Sequence, residues 1–434
     1  MNASWSHMLL GDLIELKRGY DLPKKQRVAG HVPLISSAGL SDCHDEAKVK
    51  GPGVITGRYG TIGEVFYIKD DFWPLNTTLY VKDFKGNHPK FIYYFLKTIN
   101  YLQFSDKAAV PGVNRNHLHK ASILVPLNID EQKQIAKILS DLDDKIHLNN
   151  QINQTLESIA QALFKSWFVD FDPVRAKIAA KQEGKDSELA AMCIISGKSE
   201  DEIQQMPEGD FAELQATAAL FPDELVESEL GEVPKGWDAI TLGNFLEIKR
   251  GGSPRPIQNF MAPTGYPWVK IADATADPSP FLFKTKEFII KEGLRKTVYL
   301  KKGSLILTNS ATPGLPKFLE LDACIHDGWL YFPQKKHFSD NYLYFLFLKL
   351  RTQLVAQGNG SVFTNLKTDI LRNQVVLVPT KEVIEKFDFQ VGKILEMMKT
   401  QCIQSSNLSD LRDTLLPKLL SGKVSVLGFQ GEVA

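Results

Sequence analysis

Hydrophobic positions after residue 126 recur at alternating steps of three and four. If Ile135, Leu142, Asn149, Leu156 and Leu163 occupy the first core position of a heptad, then Ile138, Lys145, Ile152, Ile159 and Ser166 fall on the second, and seven of these ten residues are aliphatic. That spacing predicts one amphipathic helix from about 130 to 168. At about 1.5 Å per residue it would be roughly 50 to 60 Å long. The same phase returns after Pro379, with Ile384, Val391, Met398, Ser405, Arg412 and Leu419 on one core position and Phe387, Ile394, Gln401, Leu408 and Leu415 on the other. Matched length and placement predict that the two helices pair antiparallel, each starting at its own globular domain. Packing of each helix on its own domain alone is the alternative. A buried Asn149 or Lys145 would set register rather than add stability, whereas a solvated helix face needs no such role.

The rest of the pattern is mixed. Short β-branched and aromatic runs such as Val65-Phe66-Tyr67-Ile68 and Phe288-Ile289-Ile290 lie between Gly and Pro punctuation, which reads as strands and turns. Two further helices are expected, Lys90 to Ile99 and Asn341 to Lys349. These elements fall into two copies of one plan. Residues 5–19 recur at 237–251 with seven identities in fifteen positions: Trp5/Trp237, Leu10/Leu242, Gly11/Gly243, Glu15/Glu247, Lys17/Lys249, Arg18/Arg250 and Gly19/Gly251. Later landmarks keep the order, with Tyr94-Phe95-Leu96 answered by Tyr344-Phe345-Leu346 and Leu124-Val125-Pro126 by Leu377-Val378-Pro379. A duplicated domain offers one partner two similar surfaces. The expected class is α/β (α+β): two duplicated mixed α/β domains separated by a long antiparallel coiled coil, with pseudo-two-fold arrangement. The divisions are 1–125, the central helix and its following segment at 126–183, an acidic connector at 184–236, a second domain at 237–379, and the last helix at 380–434.

Charge sharpens this picture. The formal net charge is zero, yet residues 1–125 carry 16 basic against 11 acidic side chains and residues 235–378 carry 19 against 11, while 184–232 carry 2 against 13. Both repeats are basic and the connector is acidic, so a polyanion such as double-stranded DNA is the expected partner of the two lobes. Four dispersed cysteines, Cys43, Cys193, Cys324 and Cys402, form no CxxC pair or zinc spacing, and isolated thiols are expected. No apolar run approaches the roughly 18 residues that span a bilayer, and no basic segment leads into an apolar stretch at the start. A cytoplasmic location without a membrane partner is the expectation.

Catalytic signatures are missing. The sequence has no GxxxxGK[ST], HExxH or GxSxG and no [DN]PP[YF]; Asp277-Pro278-Ser279-Pro280 lacks the aromatic of the last. Candidate DNA contacts remain. Gly57-Arg58-Tyr59-Gly60-Thr61-Ile62-Gly63 has the wrong spacing for a dinucleotide loop, so it is either a plain turn between strands or a loop that holds Arg58 and Tyr59 against DNA. Its counterpart, residues 308–314, replaces them with hydroxyls and an amide, including Asn309 and Thr312, a changed donor set suited to different base pairs. Lys17, Arg18, Lys249 and Arg250 suit phosphates, which orient a protein without reading sequence, or are solvated charges. Arg115-Asn116 and Thr364-Asn365 precede the closing strand of each repeat; Arg with guanine and Asn with adenine are the expected pairings. His117 and His119 have no metal-spaced partner and are expected to be ordinary surface histidines.

Four segments carry a family resemblance: Trp167-Phe168-Val169-Asp170-Phe171-Asp172-Pro173-Val174 after the central helix, Leu220-Phe221-Pro222-Asp223, Ser228-Glu229-Leu230-Gly231-Glu232-Val233-Pro234-Lys235-Gly236-Trp237 opening the second repeat, and Leu415-Leu416-Pro417-Lys418-Leu419-Leu420-Ser421-Gly422. With the architecture, they closely resemble the specificity subunit of Type I restriction-modification enzymes, over essentially the whole chain. The resemblance implies that each repeat is a target-recognition domain reading half of a bipartite, asymmetric site and that the paired helices set the spacer. It also implies a non-catalytic subunit without cofactors of its own. Two modification subunits would bring S-adenosylmethionine, and restriction/translocase subunits would bring ATP and Mg. A coiled-coil adaptor without DNA reading, or the specificity subunit of a related bifunctional restriction enzyme, is the alternative. The first repeat departs from the pattern by lacking the Gly-x-Val-Pro-x-Gly lead-in found before Trp237. Recognition residues vary within the family, so no base contact transfers from it.

Overall fold

The computed structural model describes residues 5–105, 112–357 and 366–426. It divides into two compact units, residues 1–150 with 403–434 and residues 151–402. Each unit joins one repeat to part of each long helix.

The first unit is built on an antiparallel sheet in the order Glu15–Arg18, Thr78–Asp83, Gly53–Gly57, Val65–Ile68. A hairpin of Val32–Ser36 and Gly39–His44 adds a second layer, with Leu34 and Ile35 paired in parallel to Trp73 and Pro74. Trp5–Leu9 closes against Ser122–Pro126, Trp5 opposite Pro126. The second unit repeats these pairings: Leu246–Arg250, Trp329–Lys335, Leu305–Thr308, Pro316–Leu319, then a parallel pair of Trp268–Val269 with Cys324–Ile325, and Asp238–Thr241 closed by Val375–Val378. Register confirms the duplication. Lys17 opposes Tyr80 and Ile55 opposes Tyr80, as Lys249 opposes Tyr331 and Ile306 opposes Tyr331.

The repeated glycines have a steric cause. A Cβ on Gly19 would stand 2.2 Å from the Leu75 carbonyl oxygen, and one on Gly251 would stand 2.2 Å from that of His326. Only a residue without a side chain lets the crossing strand approach this closely.

The long helices are Ile129–Phe168 and Lys381–Leu419. They run antiparallel in both units: Asp143 meets Arg412 at 2.7 Å and the Asn149 amide donates to Gln404 at 2.9 Å in the first, and the Asn153 amide donates to Cys402 at 3.2 Å in the second. Asn149 is fully buried and also bonds Ser405, so the seam asparagine is a register contact. In the second helix every assigned core position is at least half-buried. The first drifts off the strict heptad. Ile159, assigned to its seam, is 50% exposed, and burial passes to Ala160, Phe164, Trp167 and Phe168. A helix of 3.6 residues per turn rotates about 20° per heptad against a 3.5-residue pattern, and the aromatics that fill unit 2 select the rotated face. Phe164 lies 5.5 Å from Tyr342, 5.9 Å from Phe345 and 5.8 Å from Phe387.

The shorter helices add detail to the expected plan. The helix after the second sheet is Asp340–Gln357 and the first repeat's is Pro89–Lys97; the former is longer than its apolar run because Leu350 and Leu354 keep packing into the core. The acidic segment is folded, with helices Ser187–Ser196, Glu200–Gln204 and Glu208–Ala219 around Ala191, Met192, Ile203 and Ala218. Most of its acids are exposed, while Glu188 bonds the buried Lys177 at 2.7 Å.

Candidate nucleic-acid interface

In the first unit the candidate residues collect at one end of the main sheet. Arg18 ends the edge strand and pairs with Asp21 at 3.3 Å. The Asn76 amide bonds the same carboxylate. Next along the chain, the Thr77 carbonyl accepts from the backbone N–H of Arg58 at 2.8 Å and Tyr59 at 3.2 Å, so Arg18 and the Arg58-Tyr59 turn flank one short loop. The Arg58 guanidinium lies 4.5 Å from the Tyr59 ring centroid, and no carboxylate pairs with it among the described residues. Stacking on an aromatic holds a cation without neutralising it. Tyr59 is 38% exposed and its ring covers Gly112, where a Cβ would clash at 2.1 Å. The Arg58 carbonyl accepts from Val113 at 3.0 Å, which leads to exposed Arg115 and Asn116 at the start of the short helix Arg115–His119. Lys17 lies 5.4 Å from the Tyr20 ring.

The second unit uses the same backbone with other chemistry. Asn309 N–H donates to Gly328 O at 2.8 Å and Leu366 N–H to Asn309 O at 2.6 Å, which places Asn309 at the register of Arg58 and Asp327 at that of Asn76. Asn309 is only 2% exposed; its amide donates to Asp327 O at 3.2 Å, and Arg250 Nε donates to that carbonyl at 2.5 Å. The Asp327 carboxylate accepts from Ser253 Oγ at 2.8 Å and lies 3.5 Å from Arg255. Burial draws its pKa upward, but the Ser253 hydrogen bond and the charges of His326 and Arg250 outweigh this and hold it below the usual carboxylate range. Thr312 is half-buried in the tight turn where Ala311 takes φ 57°, and its carbonyl accepts from Thr308. Lys249 pairs with Glu247 at 2.8 Å. Asn365 and its neighbour Thr364 lie outside the described residues.

Asp21, Asn76, Ser253, Arg255 and Asp327 escaped the sequence reading. They sit in aperiodic loops, and only the matched strand register brings them to the candidates. His119 also departs from expectation. It is half-buried, and its Nε2 accepts the Leu16 N–H at 2.9 Å. Burial first, then Arg115 and Lys85, lower its pKa, so it is a neutral acceptor between the short helix and the edge strand rather than a surface histidine.

The family described as "Type I restriction modification DNA specificity domain" matches residues 2–158 and 234–407, one match on each repeat. The chain belongs to this family of Type I restriction-modification specificity subunits, which are the non-catalytic components of their complexes. It is 33% identical over 368 residues to the Type I restriction enzyme HindI specificity subunit of Haemophilus influenzae, covering 77% of each chain. It is 25% identical to the MjaIX specificity subunit of Methanocaldococcus jannaschii, covering 90% of this chain and 82% of that one. A crystal structure of a Type I restriction-modification S subunit from M. genitalium shares the fold, with a TM-score of 0.57 at 15% identity over 96% of both chains. None of the described helices is long and apolar enough to cross a membrane.

Proposed function

We propose that each repeat reads one half of a bipartite, asymmetric site on double-stranded DNA, and that the long helices fix the spacer and dock two modification subunits, with restriction/translocase subunits joining them. One observation carries the reading: the two repeats hold the same backbone turn in the same register but place Arg58-Tyr59 in one and Asn309-Ser310 in the other. A common frame with exchanged donors and acceptors is what two readers of different base pairs require. Arg58, Tyr59, Arg115 and Asn116 are the proposed base-side contacts of the first repeat, and Thr312 and Asn365 those of the second. Lys17, Arg18, Lys249 and Arg250 are the proposed phosphate contacts. Half-buried Arg58 and exposed Arg115 carry the planar donor pair that suits guanine; buried Asn309 acts by shaping the turn that carries Ser310 and Thr312.

The test is to co-express the chain with its modification subunit in a methylation-free host and map N6-methyladenine genome-wide. A split motif that appears only with the chain supports the reading. No motif from a verified complex would reduce the chain to an adaptor.

A further inference from the structure

The duplication exposes a difference away from the Arg58 and Asn309 turns. In the second unit the outer edge of the main sheet is covered: Phe281–Leu282 adds in parallel to Pro316–Leu319, and Phe318 N–H donates to Pro280 O at 2.9 Å. Buried Lys317 pins this cover, its ammonium bonding the carbonyls of Asp277, at 2.7 Å, and Ser279. By register, Pro316, Lys317 and Phe318 correspond to Val65, Phe66 and Tyr67, since Ile306 faces Lys317 as Ile55 faces Phe66. Alternation in an antiparallel ladder turns the backbone groups of Val65 and Tyr67 outward. Among the described residues nothing bonds them. Phe66 offers no ammonium to hold a covering segment.

What lies beside that edge is a groove of about 410 Å3. Leu40, 68% exposed, Phe66, Tyr67 and Tyr93 supply apolar wall, Lys69 and Lys90 stand along it, and Asp143, already bonded to Tyr94 and Arg412, and Asp144 line the side formed by the first long helix. Among the described residues neither lysine is held in an ion pair. Lys90 lies 6.0 Å from the Tyr67 ring, and Lys97 4.9 Å from that of Tyr93.

We propose that Val65–Ile68 is a strand-addition site for an extended segment of a protein partner that carries an aromatic side chain and acidic flanks. The second repeat shows the strand that such an edge accepts, with Phe281 seated 5.9 Å from Phe318. Main-chain bonds to the outward groups of Tyr67 supply affinity, and the groove selects the side chain. The covered twin decides the occupant: its edge takes an extended segment in which Asp277 precedes Phe281. Asp143 is already engaged by Arg412, so Lys69 and Lys90 outnumber Asp144 along the groove and favour a segment with an acidic flank over the lysines of a second copy.

The experiment uses the full chain and a fluorescently labelled peptide of residues 277–283, which carries Asp277, Phe281, Leu282 and Phe283. Anisotropy should show saturable binding that weakens with salt, and hydrogen exchange should show the Tyr67 amide protected. Tyr67→Pro removes the outward donor at an edge position that tolerates proline and should weaken binding about tenfold. The double variant Lys69→Glu/Lys90→Glu keeps the strand and should weaken it about as much at low salt. Absence of saturable binding, or binding untouched by both variants, overturns the proposal. Displacement of the peptide by an oligonucleotide, or a dimer of the chain abolished by Tyr67→Pro, assigns the edge to nucleic acid or to a second copy and overturns it equally.

Discussion

The turns at Arg58 and Asn309 are one backbone put to two uses. In the first repeat the turn presents a guanidinium, stacked on Tyr59, without a counter-charge among the described residues. In the second the equivalent side chain folds inward onto the Asp327 carbonyl, and charge sits instead on Arg250, Arg255 and Asp327 around it, with the Ser253 hydroxyl bonded to the Asp327 carboxylate. Loop side chains can change this far because the strands beneath carry the stability. The frame is set by what both copies share, Gly19 and Gly251 at the strand crossing and Leu10 and Leu242 in the cores.

Exchange of residues 1–125 for the matching domain of another family member breaks the comparison most completely. The methylation map should then show a new sequence in one half-site, with the other half and the spacer unchanged; change in both halves would end the modular reading. Gly19→Val and Gly251→Val come next. Each drives a side chain into a backbone carbonyl and should cost about 3 kcal/mol or more, read as a lower urea midpoint; a small loss at either site would deny that the crossings are equivalent. Arg58→Gln should leave stability within about 0.5 kcal/mol and relax one base position in one half-site, a discrimination worth about 1 to 3 kcal/mol. A motif of undiminished stringency would remove Arg58 from the reading surface.

The smallest effect concerns carboxylates on the long helices. Asp143 accepts from Tyr94 at 2.7 Å and from Arg412 at 2.7 Å, whereas Asp388 accepts from Ser339 at 2.6 Å and has no cation beside it among the described residues. Burial, together with Asp340 and Glu385 and against the Ser339 bond, raises the Asp388 carboxyl to about 6 from 3.8. A folded-state value above the unfolded one makes the ionised form destabilising, so the cost is present above about pH 6 and disappears as pH falls through the unfolded value near 4. Partial solvation limits it to about 1 kcal/mol. Asp388→Asn should therefore be more stable by that amount at pH 8 and equal to the parent below pH 4, as chemical denaturation at the two pH values would show.

Period and repetition carried much of this protein in plain view. The heptads placed both long helices, the strand Val65–Ile68 falls where its β-branched run predicts, and the identities from Trp5 to Gly19 announced a duplication that the strand register then matched. Segregated charge pointed to a polyanion before any fold was known. These features are local or periodic, and a backbone with fixed repeats of 3.6 and 2 residues translates them directly. Tertiary structure alone decided the rest: that Ile159 turns outward while Ala160 and Phe164 turn in, that Asn309 is buried, that Asp21 and Asn76 join Arg18, and that one sheet edge is covered where its twin, among the described residues, is open. Each of those outcomes depends on which distant side chain reaches a position first, through packing volume and hydrogen-bond supply. No spacing along the chain records that competition.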